Sequence, residues 1–154
     1  MINVYVDGSC IGNGPGGWSV VIKQDPNDIV LYGKCNQSTN SRMELTAMLE
    51  ALKYIHANHM TDCHIHSDSQ YVTRGINEFM KGWAARGWRK SDGKSVANQD
   101  IWLPIEQLLE SVDVTISYVP GHVGVHGNEK ADAIAGLAAR SKKGLVTNLQ
   151  LRYR

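Results

Sequence analysis

The sequence predicts an α/β fold in which a mixed β-sheet, antiparallel at one edge, is flanked by helices. Apolar and polar residues first alternate in short runs, as in strands, and later recur at helical spacing. Strand-like and helix-like segments then follow one another, which is typical of strands joined through helices. With 154 residues, the chain has the length of a single domain that buries about two-thirds of its unfolded surface.

The first three strands form an antiparallel meander. Apolar and polar residues alternate from residue 2 to Asp7, where Gly8 and further glycines indicate a turn. The runs 18–23 and 29–35 are also strand-like, and the turn-forming residues 25–28 separate them.

An amphipathic helix of about four turns follows. Its apolar residues recur at helical spacing and are Leu45, Met48, Leu49, Leu52 and Ile55. Ser41 precedes Glu44 by three residues, which is the pattern of a helix capping box. Local rules therefore account for Glu44 without any further role.

The second half alternates strands and helices. It contains a strand at 62–67, helices at 69–80 and 98–110, a strand at 114–119 and an alanine-rich helix at 128–140, which Asn128 is predicted to cap. The order is βββαβαβα when the two successive helices are counted once. Strands that are joined through helices pair in parallel, so the sheet is mixed.

Composition excludes several classes of protein. A net charge of +1 with 20% charged residues argues against a globally basic nucleic-acid coat. Cys10, Cys35 and Cys63 are odd in number and scattered, which predicts free thiols in a reducing compartment. The start of the chain lacks a basic leader, and no apolar run approaches a membrane span, so we expect a cytoplasmic protein with no membrane contact.

The segment 141–154 has four cationic residues and no acidic one. It is predicted to be a basic C-terminal tail beyond a domain at 1–140. Its apolar core fits either an added strand or a mobile arm, and the arm is the preferred interpretation.

Carboxylates mark the candidate chemistry. Asp7 is predicted to close the first strand and Asp68 the fourth, and ligands of open α/β sheets gather at the carboxyl ends of strands. Asp132 lies on a helix face made of residues with almost no side chain. The alternatives are a turn residue for Asp7 and a helix cap for Asp68.

Carboxylates gathered at one place need a cation, since one like-charge pair at about 4 Å repels by roughly 4 kcal/mol at an effective dielectric of 20. Oxygen-only ligands suit Mg²⁺ or Mn²⁺, and two such ions can align a phosphodiester for cleavage. Spacing alone leaves the convergence of these residues open.

Five segments carry a resemblance to a known family. They are DGSCIGN (7–13), NSRMEL (40–45), SDSQYV (67–72), GWAARGW (82–88) and GHVGVHGNEKAD (121–132). Together and in this order they closely resemble the bacterial type I ribonuclease H family over residues 1–140. The resemblance implies a five-stranded mixed sheet and an endonuclease that cuts the RNA strand of RNA–DNA hybrids, leaving 5′-phosphate and 3′-hydroxyl ends. It also implies a monomer that uses Mg²⁺, with Mn²⁺ as a substitute.

The resemblance assigns the metal ligands as Asp7, Glu44, Asp68 and Asp132, so Glu44 is not expected to close the capping box. His122 matches a loop histidine that carries protons or helps product leave; the alternative is a solvated histidine. His126 has no such match and is interpreted as structural. A zinc interpretation is disfavoured because its residues match no standard signature; these residues are His56, His59, Cys63, His64 and His66.

Substrate contacts are implied in the same way. Cys10, Asn13 and Gln70 are expected on the RNA strand, and Thr39 and Asn40 on the DNA strand. The segment 81–98 resembles the family's basic protrusion, which holds the DNA strand; its candidate contacts are Trp83, Arg86, Trp88, Arg89, Lys90 and Lys94. The alternative is a cation-rich loop with buried tryptophans.

The sequence departs from the family at Ala84 and Ala85, where bacterial members often have lysines, and in NGPGG, where NPGPGG is common. The protrusion is therefore expected to hold the DNA strand less firmly. Two other classes remain open: a non-catalytic hybrid-binding module and another, DNA-cutting nuclease of the same superfamily.

Overall fold

A mixed six-stranded sheet forms the centre of the computed structural model, which describes residues 1–121, 124–141 and 149–153. The strands lie in the order β5-β4-β1-β2-β3-β6. β1 pairs antiparallel with β2 and β2 with β3, whereas β4 and β5 extend the sheet in parallel. The strands are β1 (Ile2–Cys10), β2 (Gly16–Ile22), β3 (Asp28–Cys35), β4 (Cys63–Ser67), β5 (Val114–Tyr118) and β6 (Leu149–Tyr153). The predicted mixed α/β sheet is confirmed.

Strand β1 is longer than predicted. Asp7 does not end it, because pairing with β2 continues to Cys10 and places Asp7 opposite Ser19. Parallel pairing with β4, by contrast, stops at Val6 opposite Ser67. Asp7 is thus the first residue of β1 beyond the parallel pairing, at the carboxyl end of β4.

The helices cover the sheet. Their bounds are α1 (Asn40–Ala57), α2 (Gln70–Arg74), α3 (Met80–Ala85), α4 (Gln99–Leu109) and α5 (His126–Arg140). A π-helical turn, Gly75–Phe79, joins α2 to α3, so this helical segment ends five residues later than the predicted residue 80. The predicted apolar face of α1 is confirmed, since Leu45, Met48, Leu52 and Ile55 are fully buried.

Two predicted helix caps are wrong. Helix α1 is capped by Thr39, whose hydroxyl accepts from the Arg42 N–H at 3.2 Å, and Ser41 lies inside the helix. Helix α5 starts two residues before Asn128, after Val125, which provides no side-chain cap. Asn128 therefore lies in the first turn, and its side chain bonds elsewhere.

A buried carboxylate ties β3 to α5. Asp28 Oδ2 accepts from Lys23 Nζ at 2.9 Å and from Lys130 Nζ at 2.7 Å. Burial alone would raise the pKa of Asp28, but the hydrogen bonds from the two lysines outweigh it and hold the pKa below its ordinary value.

The predicted mobile arm is wrong for the end of the tail. Residues Leu149–Tyr153 form β6, which pairs antiparallel with β3. The outer edge of β3 offers unpaired N–H and C=O groups, so an added strand satisfies them. Within the described residues, no helix is long and apolar enough to cross a bilayer.

Candidate active site

Asp7 and Asp68 are brought together by the register of β1 and β4. Ser67 is the last residue of β4 and pairs with Val6. Asp7 and Asp68 are the next residues along the chain after this pair, so they lie side by side where the parallel pairing ends.

Glu44 reaches this point because α1 packs directly on β1. A Cβ atom at Gly8 would overlap the backbone of Met43 and Glu44, so only glycine permits this approach. Glu44 lies in the second turn of α1 and is half-buried. Its carboxylate accepts a hydrogen bond from the hydroxyl of Ser69, the residue after Asp68.

Asp132 is placed by the close packing of α5 on β2. At Gly17 a Cβ atom would overlap the backbone of Ala135 and Ala139, so the helix lies against the strand. The Ser19 hydroxyl donates to the Ala131 carbonyl at 2.5 Å, which fixes α5 one residue before Asp132. Since Ser19 pairs with Asp7, this contact sets Asp132 beside Asp7.

The described part of the chain contains one group of at least three side chains that could share a metal ion. One ligand oxygen each from Asp7, Glu44 and Asp68 lies within 4.8 Å of the others. Asp132 joins this group through Asp7, with which it makes a carboxyl–carboxyl contact. The four predicted carboxylates therefore converge, and we refer to them as the carboxylate cluster.

Burial and mutual repulsion raise the pKa values of carboxyl groups in this cluster. Burial, then the charge of Asp68 and the contact with Asp132, raises the pKa of Asp7 to about 9. Burial and the charge of Asp68 also raise the pKa of Glu44, although the hydrogen bond from Ser69 opposes this. Both shifts mean that the metal-free site disfavours ionised carboxylates.

The cluster fits a divalent cation. Asp7 Oδ1 accepts from the Gly8 N–H at 2.9 Å, but no donor from the described residues reaches the buried Oδ2. Asp7 and Asp132 are both acceptors when ionised, so only a shared proton or a shared cation can join them. Hard, oxygen-only ligands of this kind suit Mg²⁺ or Mn²⁺.

The cap that the sequence assigned to Asp68 is made by its neighbour, and Asn128 makes no cap. Ser69, and not Asp68, caps α2 by accepting from the Val72 N–H at 3.2 Å. Asn128 donates through Nδ2 to Asp68 Oδ2 at 3.3 Å. Ser69 and Asn128 were not predicted as site residues, because their types also suit ordinary caps.

The predicted histidines lie apart from the cluster or outside the described residues. His122 lies outside them, so its role stays a prediction. His126 is exposed at the start of α5. The zinc interpretation gains no support, since His64 bonds Ser117 at 2.8 Å, His66 bonds Asn3 at 3.0 Å, and neither belongs to a three-ligand group among the described residues.

Four of the predicted RNA-strand and DNA-strand residues lie at the end of β1, in the first glycine loop or at the start of α1, whereas Gln70 begins α2. The Cys10 thiol donates to the Ser38 carbonyl at 3.2 Å, and its N–H donates to Asn40 Oδ1 at 2.9 Å. Asn13, Thr39, Asn40 and Gln70 are exposed. These four side chains are therefore accessible to a ligand, although the Thr39 hydroxyl also caps α1.

The segment 81–98, which we call the basic loop, packs its two tryptophans against the core and exposes its cations. Trp83 lies edge-on to the core residue Trp102 at 5.3 Å and tilted against Trp88 at 6.2 Å, so both indoles of the loop support it from within. The cations of the loop are exposed; they are Lys81, Arg86, Arg89, Lys90 and Lys94. Ala84 and Ala85 are exposed as well.

A cavity of about 370 Å³ lies between Gln70 and this loop. Its other lining residues are Tyr71, Arg74, Phe79 and Trp83. The Arg74 guanidinium sits 5.1 Å from the centre of the Phe79 ring. Sequence reasoning missed Tyr71, Arg74 and Phe79, and the only available signal was their position on one helical segment directly after Gln70.

A salt bridge joins the loop to the carboxylate-bearing helix. Arg42 on α1 makes two bonds to Asp100 on α4, at 3.0 and 2.7 Å, and one to Asn98 at 3.2 Å. Asn98 is the last residue of the segment 81–98 and Asp100 lies two residues later, so Arg42 links this end of the basic loop to α1, the helix that carries Glu44.

Comparisons with known proteins agree with this geometry. A family model described as RNase H matches residues 1–140. Ribonuclease H from Hyphomonas neptunium is 40% identical over 136 residues, which covers 88% of this chain and 89% of that protein. Ribonuclease H from Cupriavidus pinatubonensis is 42% identical over 139 residues, 90% of this chain and 94% of that protein.

Solved structures share the fold. LC9-RNase H1, described as a type 1 RNase H with the type 2 active-site motif, superposes with a TM-score of 0.81 at 29% identity, covering 96% of this chain and 77% of its own. LC11-RNase H1, solved in complex with an RNA/DNA hybrid, has a TM-score of 0.64 at 22% identity, covering 90% of this chain and 96% of its own.

Proposed function

The chain belongs to the ribonuclease H family, and from this premise we propose that it hydrolyses the RNA strand of RNA–DNA hybrids at the carboxylate cluster. The observation that carries the proposal is the convergence of Asp7, Glu44 and Asp68 within 4.8 Å, with Asp132 against Asp7. A hybrid-binding module without catalysis would have no need to gather four carboxyl groups at one partly buried place.

We propose that the four carboxylates hold two Mg²⁺ ions, with Mn²⁺ as a substitute. When bound, such ions activate a water molecule and stabilise the attacking and leaving oxygens of a phosphodiester. The chain's own contribution is to hold four carboxylates in fixed positions from four different elements. His122 is proposed to carry a proton to the leaving group.

Cleavage at this cluster would leave 5′-phosphate and 3′-hydroxyl ends.

Short polar groups near the cluster suit an RNA strand, because a 2′-hydroxyl both donates and accepts hydrogen bonds. Cys10, Asn13 and Gln70 are proposed to contact this strand. Thr39 and Asn40, at the start of α1, are proposed to contact the DNA strand.

The basic loop is proposed to hold the DNA backbone outside the cluster. Its exposed cations suit phosphates, and its aromatic residues give it a rigid base. Trp83 contributes to this base and to the wall of the cavity beside Gln70. We also propose that residues 1–140 form the catalytic domain and that the protein acts as a monomer in the cytoplasm.

The experiment uses three labelled duplexes of one sequence: an RNA–DNA hybrid, double-stranded RNA and double-stranded DNA. Each is incubated with the protein in Mg²⁺ and in chelator. We expect internal, metal-dependent cuts only in the RNA strand of the hybrid, because the groove needs a 2′-hydroxyl on one strand and a DNA backbone on the other.

Asp7→Asn and Glu110→Gln serve as matched variants, since Glu110 is an exposed carboxylate on the end of α4. We expect the first to abolish cleavage and the second to leave it unchanged. Comparable cutting of double-stranded DNA would favour a DNA-cutting nuclease. Binding of the hybrid without any cutting would favour the non-catalytic module.

A further inference from the structure

Asn128 lies on the same face of α5 as Asp132, one helical turn before it. Its carboxamide is directed to Asp68, with Nδ2 3.3 Å from Oδ2, while Asp132 contacts Asp7. One face of a single helix therefore contacts two members of the carboxylate cluster. We propose that Asn128 is a positioning residue that orients Asp68 for metal binding, an inference that rests on the proposed function.

The burial of Asn128 excludes a role at the surface. Only 2% of the residue is exposed, and the helix cap predicted for it is absent. Burying a carboxamide is unfavourable unless it makes hydrogen bonds. The bond to Asp68 satisfies its N–H donor and joins the end of β4 to α5.

Chemistry explains why a neutral donor is needed here. The carboxylate cluster already gathers four acidic groups, and another acceptor next to Asp68 would add repulsion. An N–H donor on one oxygen fixes the plane of the Asp68 carboxyl group without adding charge. Hydrogen bonds that orient metal ligands in this way commonly change metal affinity by 10- to about 100-fold when removed.

Ser69 plays the complementary part for Glu44. Its hydroxyl caps α2 and also bonds the Glu44 carboxylate. Because Ser69 is needed for a helix cap, its replacement would mix two effects. Asn128 makes no cap, so its replacement isolates the effect on the cluster.

The test is calorimetric titration of Mg²⁺ into the full-length protein without substrate. Asn128→Ala should weaken Mg²⁺ binding by about 10-fold, because Asp68 loses its orienting donor. Asn77→Ala is the control, since Asn77 Nδ2 donates to the Ile116 carbonyl on β5, and it should bind Mg²⁺ as the wild type does. In hybrid cleavage, Asn128→Ala should need about 10-fold more Mg²⁺ for half-maximal rate at unchanged KM for the hybrid.

Asn128→Asp provides a second measurement, since it keeps the size of the side chain and replaces the donor with an acceptor. It should lower the metal-free melting temperature and show a larger Mg²⁺-induced rise than the wild type, because a cation relieves the new repulsion. Equal Mg²⁺ affinity in Asn128→Ala and the wild type would overturn the inference. Absence of Mg²⁺ binding in the wild type would overturn the metal site itself and the inference with it.

Discussion

Replacing Asp7 with asparagine should stabilise the metal-free protein while abolishing cleavage. Asp7 is 5% exposed, and its Oδ2 receives no hydrogen bond from the described residues. Burial and the neighbouring carboxyl groups raise the pKa of Asp7 to about 9, so the ionised side chain is unfavourable in the folded state. Asparagine has nearly the same shape and carries no charge.

The magnitude follows from the pKa. A carboxyl group of ordinary pKa, about 4, lies roughly three pH units below pH 7, and keeping it protonated costs about 1.4 kcal/mol for each unit. Asp7→Asn removes this cost, so the variant can gain at most about 4 kcal/mol in the free energy of unfolding. Water entering the open site weakens the repulsion, so we expect a gain of about 1–3 kcal/mol in the free energy of unfolding.

The pH dependence has a fixed sign. Because the pKa of Asp7 is raised to about 9 in the folded state, the protonated side chain is favoured by folding. The resulting stability is fully present below about pH 4, and it is lost as the pH rises toward 9 and Asp7 ionises. The advantage of Asp7→Asn should therefore grow from pH 4 to pH 9. Saturating Mg²⁺ should reverse the order, since only the wild type keeps all four carboxylates.

Denaturant unfolding at several pH values, with Mg²⁺ and with chelator, measures these differences. Glu110→Gln is the control and should follow the wild type at every pH, because its carboxylate is exposed at the end of α4. An advantage of Asp7→Asn that stays constant between pH 4 and pH 9 would refute the argument from burial and repulsion. Near-normal cleavage by the variant would remove Asp7 from the active site.

Three further predictions concern the surroundings of the cluster. Lysines at Ala84 and Ala85 should tighten hybrid binding and steepen the slope of log K against log salt by up to about 0.9 per new phosphate contact. The control Ala57→Lys, at the far end of α1, should leave this slope unchanged. Equal slopes for the lysine variant and the wild type would show that the loop does not contact the nucleic-acid backbone. Asp28→Asn should lower the free energy of unfolding by about 2–3 kcal/mol at pH 7, by leaving two lysines without their shared carboxylate. Since the folded pKa of Asp28 is lowered, this difference should shrink as the pH falls below about 4, and a difference independent of pH would contradict the ion-pair argument. Arg42→Lys cannot make the two-bond contact with Asp100 on α4, so it should raise KM for the hybrid about threefold. The free energy of unfolding in denaturant should fall by less than about 1 kcal/mol, because the ion pair is exposed. An unchanged KM would show that Arg42 does not position the loop.

Periodicity was sufficient to predict the layers of the fold. The helical spacing of Leu45, Met48, Leu52 and Ile55 survives in the structure because burial against the sheet is what that spacing reflects. The added strand β6 was only the second interpretation of the tail, since its residues also fit an arm and only the open edge of β3 decides between them. The π-helical turn at Gly75 likewise has no periodic signal that distinguishes it from the helix around it.

The convergence of the carboxylates required information that spacing does not contain. Asp7 and Asp68 meet because of strand register, whereas Glu44 and Asp132 approach because glycines at positions 8 and 17 let two helices touch the sheet. A glycine in a strand is compatible with a turn, a bulge or a close contact, and the sequence does not choose among them. Family resemblance provided the four residues, but the reason for their meeting lies in this packing.

The wrong predictions of helix caps fall on residues at or beside the active site, and one physical reason accounts for them. Short polar and acidic side chains suit both helix caps and metal ligands, so local rules assigned capping roles to residues such as Glu44, Asp68 and Asn128. In the structure a neighbouring residue makes the cap where a side chain makes one at all: Thr39 caps α1 and Ser69 caps α2. The displaced residues are then free to turn toward the cluster, where their carboxylates and carboxamide meet. A local rule that fails next to a satisfied cap is thus a signal of function, because the residue that gave up its local hydrogen bond must gain another interaction in exchange.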